Sequence, residues 1–280
     1  METPTPDEIF SLFARGHQTY LMGILNVTPD SFSDGGAHLG REAALAAARR
    51  MRDEGAAIID IGGESTRPGS SPVSTEEELA RVLPVIEALV GEPGMVLSID
   101  TTKAVVAREA LARGVRILND IHGLQGPEGE ALAAAAAESG AGVVMMHYPA
   151  APLRDEALLE AIGTFFERSI ERARAAGIPR HHLVLDPGIG FGKTLAQNWQ
   201  ILRSLRAWDA FGLPILLGAS RKSFLGKRLD LPDPADRLAA TLATTAAAIA
   251  QGVDFIRVHD VAANRDVARV CDLVHRPLPA

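Results

Sequence analysis

Residues 95–120 read MVLSIDTTKAVVAREALARGVRILND, and this stretch indicates the fold class. Its apolar runs MVLSI (95–99) and RILN (116–119) are too short and too rich in β-forming residues for helices. Residues 102–114, which separate them, carry Ala, Leu, Glu and Arg at helical spacing. Strands that are apolar on both faces and are joined by a helix are typical of parallel strand–helix–strand units. The stretch therefore predicts an α/β protein.

The same pattern recurs along the whole sequence. Six further apolar runs are LMGIL (21–25), AAIIDI (56–61), GVVMM (142–146), LVL (183–185), PILLG (214–218) and DFIRV (254–258). Eight units without a break in composition predict an eight-stranded parallel β/α (TIM) barrel, which typically needs about 250 residues. An open doubly wound sheet is the alternative. Residues 1–280 are predicted to form one domain, with residues 1–19 as an extension before the first strand.

Helix signals agree with this pattern. Ser and Thr at 74–75, followed by glutamates at 77–78, predict a capping box at the start of a helix. Gly114 and Gly140 stand where helix C-caps are expected. The helices and strands therefore alternate as a barrel requires.

Composition excludes several classes of protein. The net charge of −7 argues against a general nucleic-acid surface, so any anionic ligand must be held by a local basic cluster. Cys271 is the single cysteine, which rules out an intramolecular disulfide and favours a cytoplasmic location. The sequence shows neither a signal peptide nor a membrane-spanning run, so we expect no membrane association.

Polar residues follow the apolar runs in a regular way. In a barrel these positions share one rim, where the loops after the strands build the active site. Such residues also cap helices, but a whole series at strand ends favours a functional rim. The series is Asn26, Asp60, Asp100, Asn119, Asp120, His147, Asp186, Ser220 and His259.

Three members of this rim have a particular chemistry. Asp100, Asn119 and Asp186 could accept hydrogen bonds from a heterocycle that presents an edge of N–H donors. Their oxygens would equally suit a divalent cation, so both interpretations stay open. Neither HExxH nor CxxC occurs, which argues against zinc.

Two long polar loops follow the first two runs. NVTPDSFSDGG (26–36) and GGESTRPGSSP (62–72) are longer than a strand–helix connection needs, which favours mobile lids over ordinary solvated loops. Arg67 could offer its planar fork to phosphate or carboxylate oxygens. A third loop, within LDPGIGFGKT (185–194), lacks the spacing of a nucleotide-binding motif. Its glycines would let the backbone approach a flat ligand, with Phe191 covering it.

Basic residues gather at the last two units. GASRKSFLG (218–226) is predicted to open a helix at Lys222 and Ser223, whose free N–H groups would attract an anion. In IRVHD (256–260), Arg257 and His259 would share one face of the strand. If that face is the barrel interior, an anionic group must meet them.

Seven segments together resemble the dihydropteroate synthase family. They appear in order, and they span residues 22–261. The segments are MGILNVTPDSFSDGG, DIGGESTRPGS, SIDTTKAVVAREALARG, LNDIHGL, LDPGIGFGKTLAQN, GASRKSFLG and IRVHDV. The resemblance implies a β/α-barrel transferase of folate biosynthesis, usually a homodimer. Such an enzyme joins para-aminobenzoate to a dihydropterin diphosphate, releasing dihydropteroate and diphosphate.

The resemblance also implies roles for individual residues. Asn26 would help to hold the Mg²⁺ that carries the diphosphate, while Arg67 and His259 would contact its oxygens. The residues implied in catalysis are Arg67, Asp100, Asp186 and Lys222. The residues implied in substrate binding are Thr66, Arg67, Asp100, Asn119, Ile121, Met145, Asp186, Phe191, Gly218, Lys222, Ser223, Arg257 and His259. Met145 and Phe191 would line the pterin slot, and Ser223 would lie near para-aminobenzoate.

The substrate chemistry predicts a dissociative, SN1-like substitution, because the electron-rich pterin can spread the positive charge left when diphosphate departs. The sequence differs from the family pattern after His147, within MMHYPAAPLRD (145–155), and at His122, and neither departure falls on an implied ligand. One alternative is a pterin-binding methyltransferase barrel, which has no use for the STRPG and SRKS segments. Another is a barrel that binds pterin without turnover.

Overall fold

The computed structural model describes residue 13 and residues 15–27, 36–64 and 72–277. The strands there are β1 (Tyr20–Asn26), β2 (Ile58–Gly62), β3 (Val96–Asp100), β4 (Ile117–Asp120), β5 (Gly142–Met146), β6 (Leu183–Asp186), β7 (Leu216–Leu217) and β8 (Phe255–Val258). The α-helices are α1 (Gly36–Asp53), α2 (Thr75–Leu89), α3 (Ala104–Ala112), α4 (Gly129–Ser139), α5 (Leu158–Ala175), α6 (Leu195–Arg203), α7 (Ser223–Leu229), α8 (Leu238–Ile249) and α9 (Val261–His275). All eight predicted strands are present.

The strands form one parallel sheet that closes on itself. Its order is β6-β5-β4-β3-β2-β1-β8-β7, so β1 pairs with both β2 and β8. The two ends meet through a parallel bridge between Leu185 and Ile215, beside which the Leu185 N–H donates to the Pro214 carbonyl at 2.9 Å. This closure confirms the barrel over the open sheet. Strand β7 is shorter than the predicted run 214–218. Pro214 has no backbone N–H, so it cannot donate a hydrogen bond to a neighbouring strand.

Apolar side chains form a plug that fills the barrel interior at the N-terminal ends of the strands. Phe13, which precedes the first strand, packs edge-on against Tyr20 with ring centroids 4.9 Å apart. The buried plug consists of Phe13, Tyr20, Met22, Ile58, Ile117, Val144, Val184, Leu216 and Phe255. Because apolar side chains fill this end, polar chemistry is confined to the C-terminal ends of the strands.

The helices cover the outside of the sheet. Alternate strand residues such as Leu97, Ile99 and Leu118 are buried in the layer between sheet and helices. Alanine side chains of α4 belong to the same layer, as expected for an Ala-rich helix that lies close to the sheet. In the described part of the chain, no helix is both long and apolar enough to span a membrane.

Helix ends mostly follow the sequence signals. The Ser74 hydroxyl accepts a hydrogen bond from the Glu77 N–H at 3.1 Å and so caps α2. Glu77 does not complete the predicted capping box, because its carboxylate pairs with Arg81. Gly140 ends α4 in the left-handed region at φ 68°, and Gly114 has φ 103° just after α3.

Candidate active site

The barrel interior changes from apolar to polar toward the C-terminal ends of the strands. Side chains alternate along each strand, so residues two or four positions beyond the apolar plug also face inward. The inward-facing polar residues are Asn26, Asp60, Ser98, Asp100, Asn119, Asp186, Arg257 and His259. They line one mouth, and all of them except Ser98 were candidate site residues in the sequence.

Arg257 connects three strands across this mouth. Its Nε donates to Asp60 Oδ2 at 2.6 Å, and its terminal nitrogen donates to Asp100 Oδ2 at 2.7 Å. Asn119 Nδ2 also donates to Asp60 Oδ2, at 3.0 Å. The anionic groups that Arg257 requires are therefore carboxylates of the protein itself, which leaves less positive charge for a ligand than the sequence suggested.

This network leaves buried oxygens without hydrogen bonds among the described residues. They are Asp60 Oδ1, Asp100 Oδ1 and the hydroxyl of Ser98. A buried acceptor without a donor costs about 1–3 kcal/mol. The Asp100 oxygen is therefore prepared to accept a hydrogen bond from a ligand with N–H groups.

The two carboxyl groups expected at a ligand edge are both perturbed by burial. Burial raises the pKa of Asp100 to about 7, against the lowering effect of Arg257. Burial also raises the pKa of Asp186, against the lowering effect of Lys222 and of the Gly188 N–H that donates to its Oδ1 at 2.7 Å. Such buried carboxyl groups in a concave mouth are typical of functional sites.

The glycine-rich segment after β6 forms one wall of the mouth. The Lys222 ammonium donates to the Ile189 carbonyl and lies 4.3 Å from the centroid of the Phe191 ring. Burial lowers the pKa of Lys222 to about 8, although Asp186 favours its charged form. This arrangement brings a cation, an aromatic ring and the Asp186 carboxylate to the same side.

A second polar corner lies where β7 and β8 end. The Ser220 hydroxyl lies 2.9 Å from His259 Nδ1 and accepts from the His259 N–H at 3.2 Å. Arg221, with φ 57°, forms a two-point ion pair with Asp260. These contacts join the loops after the two strands and fix the imidazole at the rim.

Other predicted site residues lie around this mouth. Asn26 ends β1 and is half-buried, and Ile121, which follows β4, is also half-buried. A Cβ at Gly218 would lie 3.8 Å from Arg257 Cβ, so the glycine leaves space beside that side chain. Ser223 opens α7 as predicted, but the helix has only seven residues and Ser223 is exposed.

The prediction that Met145 lines the slot is wrong. Met145 belongs to the layer between the sheet and the helices, whereas its neighbour Met146 pairs in register with the inward-facing Asp186. A shift of one residue along a strand moves a side chain to the opposite face. Counting alternate positions from Val144, which lies in the interior plug, would have identified Met146.

Two rim residues of the sequence prediction have structural roles. The Asp120 carboxylate accepts from the N–H groups of His122 and Leu124 at 2.9 and 2.7 Å, so it holds a turn. His147 is buried against Phe165, with ring centroids 4.9 Å apart, and burial lowers the pKa of His147 to about 3. Both belong to loop architecture rather than to the mouth.

Thr66 and Arg67 lie outside the described residues. Glu64, just before them, forms an ion pair with Lys103, which also pairs with the buried Glu78 at 2.5 Å. The sequence analysis did not single out Lys103, Ser98 or Lys193. The sequence places Lys103 at the start of a helix, but it does not indicate that the ion-pair partners of Lys103 lie on two other segments.

The barrel and its mouth define an α/β-barrel enzyme with a buried polar site at the C-terminal ends of its strands. The model of the family described as pterin binding enzyme matches residues 22–259. The dihydropteroate synthase of Synechocystis sp. is 46% identical over 273 residues, covering 95% of this chain and 93% of that protein. The chain therefore belongs to the dihydropteroate synthases, within the pterin-binding enzyme family.

Solved structures support the same assignment. A dihydropteroate synthase from Clostridium difficile, solved in the presence of pteroic acid, aligns with a TM-score of 0.90 and 48% identity. That alignment covers 94% of this chain and 99% of the other. The Xanthomonas albilineans dihydropteroate synthase with 4-aminobenzoic acid aligns with a TM-score of 0.86 and 43% identity, covering 92% and 93% of the two chains.

Proposed function

We propose that this chain condenses 6-hydroxymethyl-7,8-dihydropterin diphosphate with para-aminobenzoate, giving 7,8-dihydropteroate and diphosphate. The observation that carries the proposal is the buried set of Asp100, Asn119 and Asp186 facing one mouth beside Lys222. Relatives with this name, and their structures with pteroic acid or 4-aminobenzoic acid, support the choice of substrates.

The pterin would lie with its edge against the carboxylates. Asp100 and Asp186 accept from the amino and ring N–H groups, and the Asn119 amide adds a donor and an acceptor. Lys222 offers its ammonium to the ring acceptors. By resemblance to the family, Phe191 would line the slot and Arg257 would pack over the face of the ring.

We propose that the mouth also binds a magnesium ion together with the diphosphate. A Cβ built at Gly62 would lie 3.9 Å from both Asn26 Oδ1 and Asp100 Oδ2, so two oxygens border one space that no side chain occupies. In the described residues, no cluster of three or more metal-ligating His, Cys, Asp or Glu side chains is found. Mg²⁺ commonly uses one or two protein oxygens together with phosphate oxygens, which suits Asn26 as its protein ligand.

Bound Mg²⁺ would neutralise charge on the diphosphate as it departs. At the rim, His259 is oriented by Ser220 and lies where β8 ends, so it can donate to phosphate oxygens. Arg67 completes this anion site by resemblance to the family. Asp100 and Asp186 stabilise positive charge that develops on the pterin, since carboxylates fixed in a buried site favour a cation there.

We propose a dissociative substitution. The bond between the exocyclic methylene carbon and the diphosphate oxygen breaks, and its electron pair leaves with diphosphate. The pterin ring delocalises the resulting cation until the arylamine nitrogen attacks the methylene carbon and loses a proton. The loops at 26–36 and 62–72 would close over the site and exclude water, which would otherwise capture the cation.

The dissociative step can be tested by positional isotope exchange. Substrate labelled with ¹⁸O in the bridging position should exchange label with non-bridging oxygens without para-aminobenzoate, because the diphosphate leaves and returns. If the label stays in place although the substrate binds, departure requires the arylamine and the dissociative mechanism is wrong.

The overall activity is tested by detecting 7,8-dihydropteroate by mass spectrometry after incubation with both substrates and Mg²⁺. Asp186→Asn should weaken pterin binding, because it removes a charged acceptor, whereas Arg67→Ala should mainly lower turnover. Asp236→Asn, at an exposed position before α8, is the matched control and should behave as the wild type. If pterin binding is unchanged in Asp186→Asn, the proposed orientation of the ring is excluded.

We further propose that the protein is a cytoplasmic homodimer. The single cysteine is consistent with a reducing compartment, and the dimer is inferred from the family. Light scattering should give about twice the chain mass of 29.7 kDa, whereas a single-chain mass at micromolar concentration would contradict the dimer.

A further inference from the structure

The glycine-rich loop after β6 folds around the ammonium group of Lys193. Lys193 Nζ donates to the carbonyls of Gly188 at 2.8 Å, Phe191 at 3.0 Å and His147 at 3.1 Å. These three acceptors satisfy all three N–H groups of the ammonium. One cation therefore connects the end of β5 with both sides of the loop that follows β6.

The loop backbone is shaped for this close approach. Gly188 has φ +67°, and a Cβ there would lie 2.0 Å from the His147 carbonyl oxygen and 3.1 Å from Lys193 Nζ. Any larger residue at this position would push the loop away from β5 and from the ammonium. The glycine and the lysine thus depend on the same geometry.

The loop held in this way carries the groups that contact Lys222. The Ile189 carbonyl accepts from the Lys222 ammonium, and the Phe191 ring lies beside it. The carbonyl of Phe191 is itself one of the three acceptors of Lys193. A displacement of the loop would therefore move the aromatic cover and the Lys222 ammonium together.

The surroundings of Lys193 do not suggest a direct ligand contact. Its three donors are all directed to backbone carbonyls, and it is half-buried behind the loop. Burial lowers the pKa of Lys193 to about 7; Asp186 favours its charged form, while Lys222 opposes it. Lys193 thus acts on the mouth through the backbone.

We propose that Lys193 is a positioning residue for the pterin: its ammonium holds the glycine-rich loop in the conformation that places Phe191 and Lys222 against the ring. The inference rests on the proposed function, since it concerns how the same site holds its pterin. It predicts a defect in pterin binding that leaves the arylamine site intact.

The test compares the full chain with Lys193→Met and Lys193→Gln. Calorimetry with 6-hydroxymethyl-7,8-dihydropterin, which lacks the diphosphate, measures ring binding alone, and steady-state kinetics give the KM for para-aminobenzoate. Lys193→Met should weaken dihydropterin binding by about tenfold or more, with the arylamine KM unchanged within about twofold. Lys193→Gln should show a smaller loss, because its amide can still donate to two carbonyls.

Lys227→Met, at an exposed position on α7, is the matched control for loss of a lysine charge and should bind as the wild type. Melting temperatures are recorded for all variants. If Lys193→Met does not fold, the comparison with the wild type is made with Lys193→Gln. Unchanged dihydropterin affinity in a folded variant overturns the inference. Equal losses for dihydropterin and arylamine also overturn it, because they indicate general loosening. A wild type that binds no dihydropterin would instead refute the proposed function.

Discussion

Single residues set the electrostatics of the mouth, and Arg257 contacts two of its carboxylates. Its guanidinium neutralises Asp60 and contacts one oxygen of Asp100, while the other Asp100 oxygen has no partner among the described residues. The sequence predicted that Arg257 and His259 share one face of the strand, and that face is the barrel interior. It could not identify Asp60 as the partner, because the two residues are 197 positions apart and only the closed barrel brings them together.

The pKa of Asp100 leads to a prediction about protons. Burial raises this pKa to about 7, and N–H donors of a bound pterin favour the carboxylate over the carboxylic acid. Pterin binding should therefore release a proton near neutral pH, and affinity should fall as the pH decreases below about 7. Calorimetry in two buffers with different ionisation enthalpies measures this release.

Asp100→Asn serves as the control for this proton, since an amide does not titrate. The variant should bind pterin more weakly and should lose the release assigned to Asp100. The same release in wild type and Asp100→Asn would show that another group, such as Lys222 or the ligand, supplies the proton.

For helices, strands and loops, the sequence predicts which elements are present better than it predicts which side chains face the barrel interior. The short apolar runs located all eight strands, because each is too short for a helix and is flanked by polar or glycine residues. The inward and outward positions were harder, since strands buried on both faces show no polar alternation to fix the register. Met145, which the resemblance placed in the pterin slot, lies on the outer face of the sheet, while Asp100 and Asp186 were identified through their charge.

The segment after β2 is anchored at its base by Lys103. Its ammonium pairs with Glu64, the last described residue before 65–71, and with Glu78, whose side chain is 1% exposed. Lys103→Met should lower the free energy of unfolding by about 3 kcal/mol, because it leaves a buried carboxylate unpaired. It should also raise the KM for para-aminobenzoate, since Thr66 and Arg67 follow this base.

Urea unfolding and steady-state kinetics measure both effects, and Lys103→Arg should restore most of each by keeping the charge. Pterin affinity should stay near the wild-type value in both variants. A Lys103→Met enzyme with normal arylamine KM would show that the ion pairs stabilise the fold without positioning the loop.

The N-cap of α2 gives a prediction about stability alone. The Ser74 hydroxyl accepts from the Glu77 N–H, so Ser74→Ala should cost about 1 kcal/mol in the free energy of unfolding. Ser74→Asp keeps an acceptor and adds a negative charge at the helix N-terminus, so it should be as stable as the wild type. Urea unfolding curves with equal slopes would check this, and an Ala variant as stable as the wild type would contradict the cap.

In the whole molecule, the side chains of the apolar plug and those of the candidate site occupy opposite ends of the barrel. The apolar plug fills one end of the barrel, and the polar network occupies the other, so an acidic protein can still present Lys222 and His259 at one mouth. The sequence established this plan through the order of strands and rim residues. It could not establish the shape of the two long loops, most of whose residues lie outside the described part of the chain.

The central claim is that this mouth joins a dihydropterin to an arylamine. The most direct measurement is the amount of diphosphate and of 7,8-dihydropteroate formed by the purified protein with Mg²⁺ and dihydropterin diphosphate, with and without para-aminobenzoate. With the arylamine present, we expect equal amounts of the two products. Pterin binding without dihydropteroate under either condition would contradict the claim and would indicate a barrel that binds pterin without turnover.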